Sequence, residues 1–406
     1  MTQNGRSQPR ILFIDNMRYI IIAFVILQHV ALIYGAHSEG SVLVQNMSQF
    51  IVMITDVFMM PILFFAAGFF ALPSIRSKGT WGFMVSKWKR IWIPWLIGVL
   101  FVLPPAVYLM YYIRSCYDGA SHTGYWQYWV NFMKSAAEFH TGYTRSADQF
   151  SHRHLWFLSV LFPLFILFAI ICKIKVSWSG NIAAEKMDKI HTTKTIFRAI
   201  VLTGALAAVG FFIAKLFYPW GYRAILVASL IHFEPTRLVF YIIYFALGIY
   251  AFSGKWFTGD NFPHSFTIWI PVCLASLGIF TYFGFAQIQM PSVAETFLNS
   301  FVRSFLCLSL FMVLVTLTSK YRNKPSIMDQ SLASNSYTIY IIHYPFHVMF
   351  AALLLRWNGR ILVKFWVVYI ATCILSYLIS NYVVKPHPRL SALGIVLVNI
   401  ILFIVF

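Results

Sequence analysis

Residues 11–34 read ILFIDNMRYIIIAFVILQHVALIY, and the interpretation of the whole chain starts from this stretch. It is long enough to cross a bilayer as a helix. Asp15, Arg18 and His29 lie within it, although a charged group at membrane depth costs roughly 2.5–3.5 kcal/mol even on lenient insertion scales. A membrane segment that retains such residues is a candidate functional site.

The spacing of these residues places them on one face of the predicted helix. Arg18 and His29 are 11 positions apart, which at about 100° per residue is three turns plus roughly 20°. The same spacing is about 16 Å along the helix axis. Asp15 is three positions before Arg18 and can pair with it. The helix is therefore predicted to hold an ion pair near one membrane surface and an imidazole toward the other.

The composition indicates an integral membrane protein in contact with the lipid bilayer. Of 406 residues, 60% are hydrophobic and 11% are charged, whereas a soluble protein carries about 25% charged residues. The net charge of +19 is concentrated in short loops between apolar spans, where it signals orientation and predicts no nucleic-acid partner. The five cysteines show no CxxC spacing, so neither a disulfide framework nor a metal site is predicted.

Eleven apolar segments predict an all-α polytopic bundle of about 10–11 transmembrane helices. They cover residues 11–34, 49–72, 91–113, 154–172, 197–218, 236–253, 265–285, 296–318, 335–355, 361–384 and 391–406. The last segment is short, and the sequence leaves open whether it crosses the membrane. With the N-terminus inside, the inner loops hold 18 Lys and Arg residues and the outer segments hold 8, which favours a cytoplasmic N-terminus. Residues 1–406 are expected to form a single membrane-embedded domain.

Polar residues recur in or beside other predicted spans. Asp56 lies in the second span, where Gly68 permits close helix approach, and Arg303 lies in the eighth, where it should face the bundle interior. The outer loop 114–153 is aromatic-rich and is expected to contain an interfacial amphipathic helix. The outer segment 221–237 is interpreted either as part of a polar acceptor vestibule or as an ordinary solvated loop.

Lys87, Lys89 and Arg90 cluster at the predicted inner membrane surface. Orientation charge is one explanation of this cluster. The other is a phosphate-binding patch for a polyanionic cytoplasmic ligand such as coenzyme A.

Several imidazoles fall in the predicted outer half of the bundle. His154 opens the fourth span beside Trp156, at a depth similar to that of His29. In the ninth span, His343 and His347 are four positions apart and share a helix face. Pro345 lies between them, and a proline inside a helix frees a backbone carbonyl. Interfacial or packing histidines remain the alternative to catalysis.

Taken together, four stretches resemble the acyltransferase 3 family of integral membrane acyltransferases. FIDNMRYIIIAFVILQH carries the arginine, ten residues and histidine of the family's first helix, at Arg18 and His29. The other three stretches are MPILFFAAGFF, KWKRIWIP and YTIYIIHYPF. HLWFLSVLF and YIIYFALGIYAF are similar to the branch that includes glucan biosynthesis protein C.

The resemblance covers about residues 11–385. The chain departs from the family pattern at Ala66 and Ala67, where a serine often precedes the glycine, and this weakens any role for a hydroxyl there. A second departure is the apolar segment 391–406, beyond the family's ten-helix core.

The resemblance implies a membrane-bound O-acyltransferase, an enzyme that transfers groups other than aminoacyl groups. It implies transfer of an acetyl or succinyl group from cytoplasmic acyl-CoA, the donor co-substrate, to a hydroxyl of a periplasmic or cell-surface glycan. No bound cofactor is implied. The implied location is a bacterial inner membrane.

The resemblance also implies roles for individual residues. His29 is expected to be the general base, with Arg18 and Asp15 toward the acyl-CoA side. The remaining implied catalytic and substrate-binding residues are His154, His343, Lys87, Lys89, Arg90, Trp156, Arg303 and Tyr340.

Two functions from other classes remain open. A proton-coupled secondary transporter uses intramembrane charges of the same kind. A non-catalytic membrane scaffold or sensor would tolerate loss of His29 with only a change in stability. Acyl transfer instead requires Arg18, His29 and a cytoplasmic acyl donor.

Overall fold

The computed structural model describes residues 12–36, 41–117, 123–139, 141–143, 150–179, 190–218, 224–258, 261–285, 292–354 and 357–405. Arg223 lies outside these residues. The predicted all-α polytopic architecture is confirmed. The end of the bundle at which the first helix begins is called the inner end below, and the opposite end is called the outer end.

Thirteen α-helices are present among the described residues. They are α1 Leu12–Ala36, α2 Val42–Lys87, α3 Ile93–Ile97, α4 Leu103–Tyr117, α5 Tyr125–Ala137, α6 Trp156–Ser179, α7 Thr193–Phe217, α8 Pro235–Ser253, α9 Phe266–Phe285, α10 Val293–Tyr321, α11 Ile327–Leu353, α12 Ile361–Ile379 and α13 Pro388–Val405. Two π-helical turns, Trp88–Trp92 and Gly98–Val102, join α2, α3 and α4 without a loop, and a third, Ser380–Val384, extends α12.

Nine segments of the described chain are long and apolar enough to cross a membrane. One of them, Val42–Ile113, is 72 residues long, far more than the roughly 20 residues that one crossing needs. Its helix leaves helical geometry at Gly79, whose φ of 67° lies in the left-handed region that favours glycine. We therefore assign two crossings to this segment, one on each side of Gly79.

The helix α11 is not among the nine, because it carries many polar side chains. These side chains are buried, and they include Asp329, Asn335, Ser336, His343 and His347. The helix packs against α1, α12 and α4, so its polar face meets protein and not lipid, as polar groups in a membrane require. With α11 counted, the described helices provide eleven candidate crossings.

The centre of the bundle is formed by α1, α2, α8, α10 and α11, which make the most extensive contacts with one another and their neighbours. Peripheral helices expose apolar side chains, among them Leu206 on α7, Leu274 on α9 and Ile374 on α12. An exposed apolar surface of this kind is what lipid contact requires.

Two glycines bring the backbones of α2 and α8 into direct contact. A Cβ atom added to Gly68 would lie 2.0 Å from the carbonyl oxygen of Phe245, and one added to Gly248 would lie 2.1 Å from that of Phe65. Neither position can accept a side chain without separating the helices. The close approach predicted at Gly68 is therefore present, and it fixes α8 beside α2.

The outer end carries a small antiparallel sheet with strand order β1-β2-β3, formed by Gly142–Tyr143, Ile225–Val227 and Ile231–Phe233. From the sequence, residues 221–237 were interpreted either as part of a polar acceptor vestibule or as an ordinary solvated loop, and no strands were predicted there. The turn between β2 and β3 contains Ala228 and Ser229 with φ of 49° and 53°. It therefore lacks the Asn-Gly or Asp-Gly pair by which a tight hairpin is recognised.

The last helix, α13, packs along α4 and the π-helical turn Gly98–Val102. Asn399 donates from Nδ2 to the carbonyl of Phe101 over 3.1 Å, and its Oδ1 accepts from the hydroxyl of Tyr125 over 2.6 Å. These bonds attach α13 to α5, the outer helix that the aromatic-rich loop was expected to contain.

Candidate functional site

Four histidine rings from three separate parts of the chain converge on the centre of the bundle. The ring centroid of His29 on α1 lies 6.0 Å from that of His154, 5.4 Å from that of His343 and 5.7 Å from that of His347. The ring centroids of His154 and His343 are 4.7 Å apart. The predicted shared depth of His29 and His154 is thus present. These four residues are called the histidine cluster below.

Pro345 explains how α11 holds His154. Because proline has no N–H, the carbonyl of Ile341, four residues earlier, loses its helical partner. His154 donates from Nε2 to this carbonyl over 3.1 Å. The hydroxyl of Tyr340 donates to the backbone carbonyl of His154, and the ring of Tyr344 stacks on the His154 ring at 5.0 Å.

The hydrogen bonds of His154 and His343 define which of their ring nitrogens carry protons. His343 contacts the carbonyl oxygens of Tyr340 and Ile339 through Nδ1, over 2.7 and 3.2 Å. Carbonyl oxygens only accept, so Nδ1 of His343 and Nε2 of His154 are the donors. The other two nitrogens, His343 Nε2 and His154 Nδ1, are buried and have no hydrogen-bond partner among the described residues. In neutral rings both are acceptors.

An outer cavity of about 380 Å³ lies against the histidine cluster. It is lined by Val25, Gln28, His29, Leu32, Val52, Met53, Asp56, Met59, Met60, His154, Trp156, Arg237 and Tyr340. Its polar groups are an amide, a carboxylate, a guanidinium, a phenol, an indole and two imidazoles, so it can bind a ligand with several hydroxyl groups.

A buried charge network borders the outer cavity. Asp56 accepts from Arg237 and, over 2.8 Å, from Nη2 of Arg303, which is only 6% exposed. Arg237 also contacts Glu234 over 2.6 Å. Each arginine of the network thus contacts a carboxylate, as ionic groups inside a membrane protein require. Arg303 thus faces the interior as predicted, where it contacts Asp56 and does not itself line either cavity.

An inner cavity of about 590 Å³ opens toward the other end of the bundle. Its charged lining residues are Asp15, Arg18, Lys78, Lys87 and Arg90. Nη1 of Arg18 lies 3.6 Å from Oδ1 of Asp15, so the ion pair predicted from their spacing is present. The side chains deeper in the cavity are mainly apolar and include Ile22, Leu63, Ala66, Phe157 and Leu158.

The two cavities have one lining residue in common, Tyr340. On α1, the inner cavity reaches as far as Ile22 and the outer cavity begins at Val25, three residues later. On α6, Phe157 lines the inner cavity and its neighbour Trp156 lines the outer one. Three residues of helix are about 4.5 Å. A partition less than one helical turn thick therefore separates them.

The structure brings most of the sequence-predicted site residues to these two cavities. Lys89, Arg303 and His343 line neither cavity, whereas Lys87 and Arg90 border the inner one. Lys78 and Gln28 line the cavities but were not selected from the sequence. Gln28 adjoins His29, and Lys78 lies one residue before the break at Gly79; neither position forms a recognisable motif.

A second pair of histidines lies at the outer end, outside the membrane-spanning segments. His152 contacts the carbonyl oxygen of Ser229 over 3.0 Å and the hydroxyl of Ser159 over 3.2 Å, and its ring is 5.5 Å from that of His232. Burial, and then the neighbouring His232, lowers the pKa of His152 to about 3. Burial, and then Arg153, lowers the pKa of His232 to about 4.

Within the described part of the chain, no group of three or more His, Cys, Asp or Glu side chains is arranged to hold a metal ion. In comparison with known proteins, residues 11–384 match the family model of the acyltransferase 3 type, described as an acyltransferase domain. No curated protein and no solved structure gave a significant match.

Proposed function

Because the chain belongs to the acyltransferase 3 family over residues 11–384, it is a membrane acyltransferase, and we propose that it transfers an acyl group from cytoplasmic acyl-CoA to a glycan hydroxyl on the opposite side of the bilayer. The proposed acyl group is acetyl or succinyl. The proposed membrane is a bacterial inner membrane, with a periplasmic or surface glycan as acceptor. Membership of the branch that includes glucan biosynthesis protein C is part of the same proposal.

The inner cavity supports acyl-CoA as the donor. Lys78, Lys87 and Arg90 border its mouth, and cationic side chains of this kind bind phosphate through charge-assisted hydrogen bonds. The apolar wall deeper in the cavity suits the slender pantetheine arm and an acyl chain. Arg18, paired with Asp15, lies between these two regions and would orient the arm.

The outer cavity supports a glycan as the acceptor. Trp156 offers a flat apolar surface to one face of a pyranose ring, while Gln28 and Asp56 offer an amide and a carboxylate to its hydroxyl groups. Apolar walls with a few convergent polar groups are typical of a small-molecule site. An acceptor in this cavity would present a hydroxyl to His29.

The proposed reaction forms one bond and breaks one. His29 takes the proton of the acceptor hydroxyl as general base, the hydroxyl oxygen bonds to the thioester carbonyl carbon, and the carbon–sulfur bond breaks. The thiolate of coenzyme A then takes up one proton. His154 and His343 adjoin His29 and offer two unprotonated ring nitrogens. Either of these nitrogens can accept the one proton that His29 has taken from the acceptor hydroxyl.

One observation carries the proposal: a basic inner cavity and a polar outer cavity extend from opposite ends of the bundle to Tyr340, beside His29. In this arrangement a donor on one side and an acceptor on the other can reach one reaction centre without either crossing the membrane. Proximity of this kind is a large part of catalysis.

The test uses purified protein in nanodiscs, where both faces are accessible. Labelled acetyl-CoA or succinyl-CoA is incubated with an extract of periplasmic glycans, and label on the glycan is measured. We expect wild type to label the glycan and His29→Ala to label none of it, while His387→Ala, at an exposed histidine, keeps full activity. Equal labelling by His29→Ala would contradict the proposed role of His29.

The same experiment, with thioester binding measured in parallel, also bears on the transporter that the sequence left open. If a CoA thioester binds but no label moves, the acceptor is wrong and the class of reaction stands. If neither thioester binds, the proposal of acyl-CoA as donor fails, and proton-coupled transport through the two cavities is the next function to measure.

A further inference from the structure

Helix α11 carries a row of polar side chains that connects the two cavities. Tyr337, Tyr340, His343 and His347 follow one another at intervals of three, three and four residues, so they lie on one face of the helix. From Tyr337 to His347 the row extends about 15 Å along the axis. Tyr337 lines the inner cavity, Tyr340 lines both cavities, and the two histidines belong to the histidine cluster.

The row has unused hydrogen-bonding capacity along its length. The hydroxyl of Tyr337, Nε2 of His343 and the adjoining Nδ1 of His154 are buried and lack partners among the described residues. Tyr340 donates to the carbonyl of His154, which leaves its oxygen lone pairs available. A buried polar atom without a partner costs about 1–3 kcal/mol, so atoms of this kind point to a transient partner such as water, substrate or a proton.

The proposed transfer creates a need for proton movement across the bundle. The acceptor hydroxyl loses a proton in the outer cavity, and the thiolate of coenzyme A gains one in the inner cavity. Near pH 7 a thiol with an ordinary pKa of about 8.5 is mostly protonated. As the acyl group moves outward, one proton must therefore move inward, or else one must be released outside and another taken up inside.

We propose that the row on α11 conducts this proton inward, from the histidine cluster to the inner cavity; the inference rests on the proposed function. His29 receives the proton from the acceptor hydroxyl and passes it to the unprotonated nitrogen of His343 or His154, whose ring centroids are 5.4 and 6.0 Å away. The ring centroid of Tyr340 lies 6.1 Å from that of His343 and 5.5 Å from that of His154. Its hydroxyl accepts the proton on a lone pair, gives up its hydrogen bond to the His154 carbonyl and releases its own proton toward Tyr337. The hydroxyl of Tyr337, with water in the inner cavity, delivers a proton to the thiolate.

In this scheme the atoms and charges balance without exchange with bulk water. One carbon–oxygen bond replaces one carbon–sulfur bond, one proton moves from oxygen to sulfur, and both tyrosines return to their neutral state. The acyl group and the proton cross the partition in opposite directions. Neither compartment gains or loses a proton during the turnover.

The experiment measures proton balance per turnover in sealed vesicles of low buffer capacity. The lumen contains acetyl-CoA or succinyl-CoA and a pH-sensitive dye, and the glycan acceptor is added outside. Product and lumenal pH are recorded together, with vesicles lacking protein to correct for leakage. For wild type we expect product without a change in lumenal pH.

Two variants remove only a hydroxyl from the row while keeping the aromatic ring. With Tyr340→Phe or Tyr337→Phe we expect slower transfer, with lumenal alkalinisation approaching one proton per product because the thiolate must take its proton from lumenal water. The control is Tyr244→Phe, at a fully buried tyrosine on α8 that lines neither cavity, and it should keep the wild-type proton balance.

The wild-type result decides the inference even if a variant fails to fold. Lumenal alkalinisation of one proton per product in wild type would overturn the proton path and leave the acyl transfer intact. An unchanged rate and proton balance in both tyrosine variants would also overturn it. Absence of product with wild type would instead overturn the proposed function, and the inference with it.

Discussion

The side chain of His29 owes its position to spacing along one helix and its surroundings to two others. Its 11-residue distance from Arg18 was readable from the sequence, because helical periodicity fixes which residues share a face. The convergence of His154, His343 and His347 on its ring was only partly readable. A common depth could be argued for the imidazoles, but facing directions depend on how α6 and α11 pack, which no local pattern encodes.

The basic residues at the inner surface show the same limit. The sequence grouped Lys87, Lys89 and Arg90 because they are neighbours along the chain. The structure separates Lys89 from the other two, since Lys87 and Arg90 line the inner cavity and Lys89 does not. Lys78, one residue before the break at Gly79, lines the inner cavity instead. The direction of the chain at that break could not be inferred from composition.

This separation predicts different effects of three alanine variants on donor binding. In Lys87→Ala and Arg90→Ala, the KM for acyl-CoA should rise about tenfold or more, since a hydrogen bond to a charged group contributes about 1.5–3 kcal/mol. In Lys89→Ala it should stay unchanged. Steady-state kinetics measure this, and acyl-pantetheine, which lacks the nucleotide phosphates, should respond to none of the three. An equal rise with acyl-pantetheine would contradict phosphate binding at this mouth.

The outer pair His152 and His232 predicts a pH dependence of stability. Their folded-state pKa values, about 3 and about 4, lie below the unfolded value of about 6.5, so the unfolded chain binds more protons between these values. The contribution that these two neutral histidines make to the free energy of unfolding is therefore fully present above pH 6.5. It is lost as the pH falls toward 4 and then 3.

Thermal unfolding in detergent at pH 7, 5.5 and 4.5 measures this effect. The midpoint should fall with pH in wild type and fall less in the double variant His152→Gln/His232→Gln, in which the amide introduced at position 152 keeps an N–H donor for the carbonyl of Ser229. His387→Gln, at an exposed histidine, is the control and should behave like wild type. The same slope in all three proteins would contradict the assignment.

At the scale of elements, the helices were predictable and the details that shape the site were not. Long apolar runs define spans because a bilayer requires internally satisfied backbone. The strands β2 and β3 were missed because Ala228 and Ser229 form their turn without a glycine. The π-helical turns beside α3 likewise have no sequence signature, although one of them supplies the Phe101 carbonyl that Asn399 binds.

The backbone N–H that is missing at Pro345, inside the continuous helix α11, has a direct consequence for the site. Replacing Pro345 by alanine restores an N–H that competes with His154 for the carbonyl of Ile341. We expect His154 to lose its fixed orientation. We expect kcat to fall about 10- to 100-fold, because a small displacement of a group at a reaction centre lowers the rate by this order. The KM for acyl-CoA should not change, because the inner cavity mouth is remote from Pro345.

Single-turnover and steady-state kinetics separate these two quantities. Pro271→Ala on α9, a helix that lines neither cavity, is the matched control for removing a proline inside a membrane helix. It should retain wild-type kcat. If Pro345→Ala retained wild-type kcat as well, the bond between His154 and Ile341 would have no part in the reaction.

At the scale of the whole molecule, the bundle places a basic cavity and a polar cavity back to back, with Tyr340 and the histidine cluster between them. The number of crossings and the inward bias of basic residues came from the sequence. The alignment of the two cavities did not, because it depends on the break at Gly79, on the carbonyl that Pro345 leaves free in α11 and on the glycine contact between α2 and α8.

The most direct test of acyl transfer across the bundle compares two arrangements of substrates around sealed vesicles. In the first, labelled acyl-CoA is inside and the glycan acceptor outside; in the second, both are outside. We predict labelled glycan in the first arrangement and none in the second, with His29→Ala inactive in both. Labelled glycan formed when donor and acceptor share the outer side would contradict the account, since both substrates would then reach His29 from one end of the bundle.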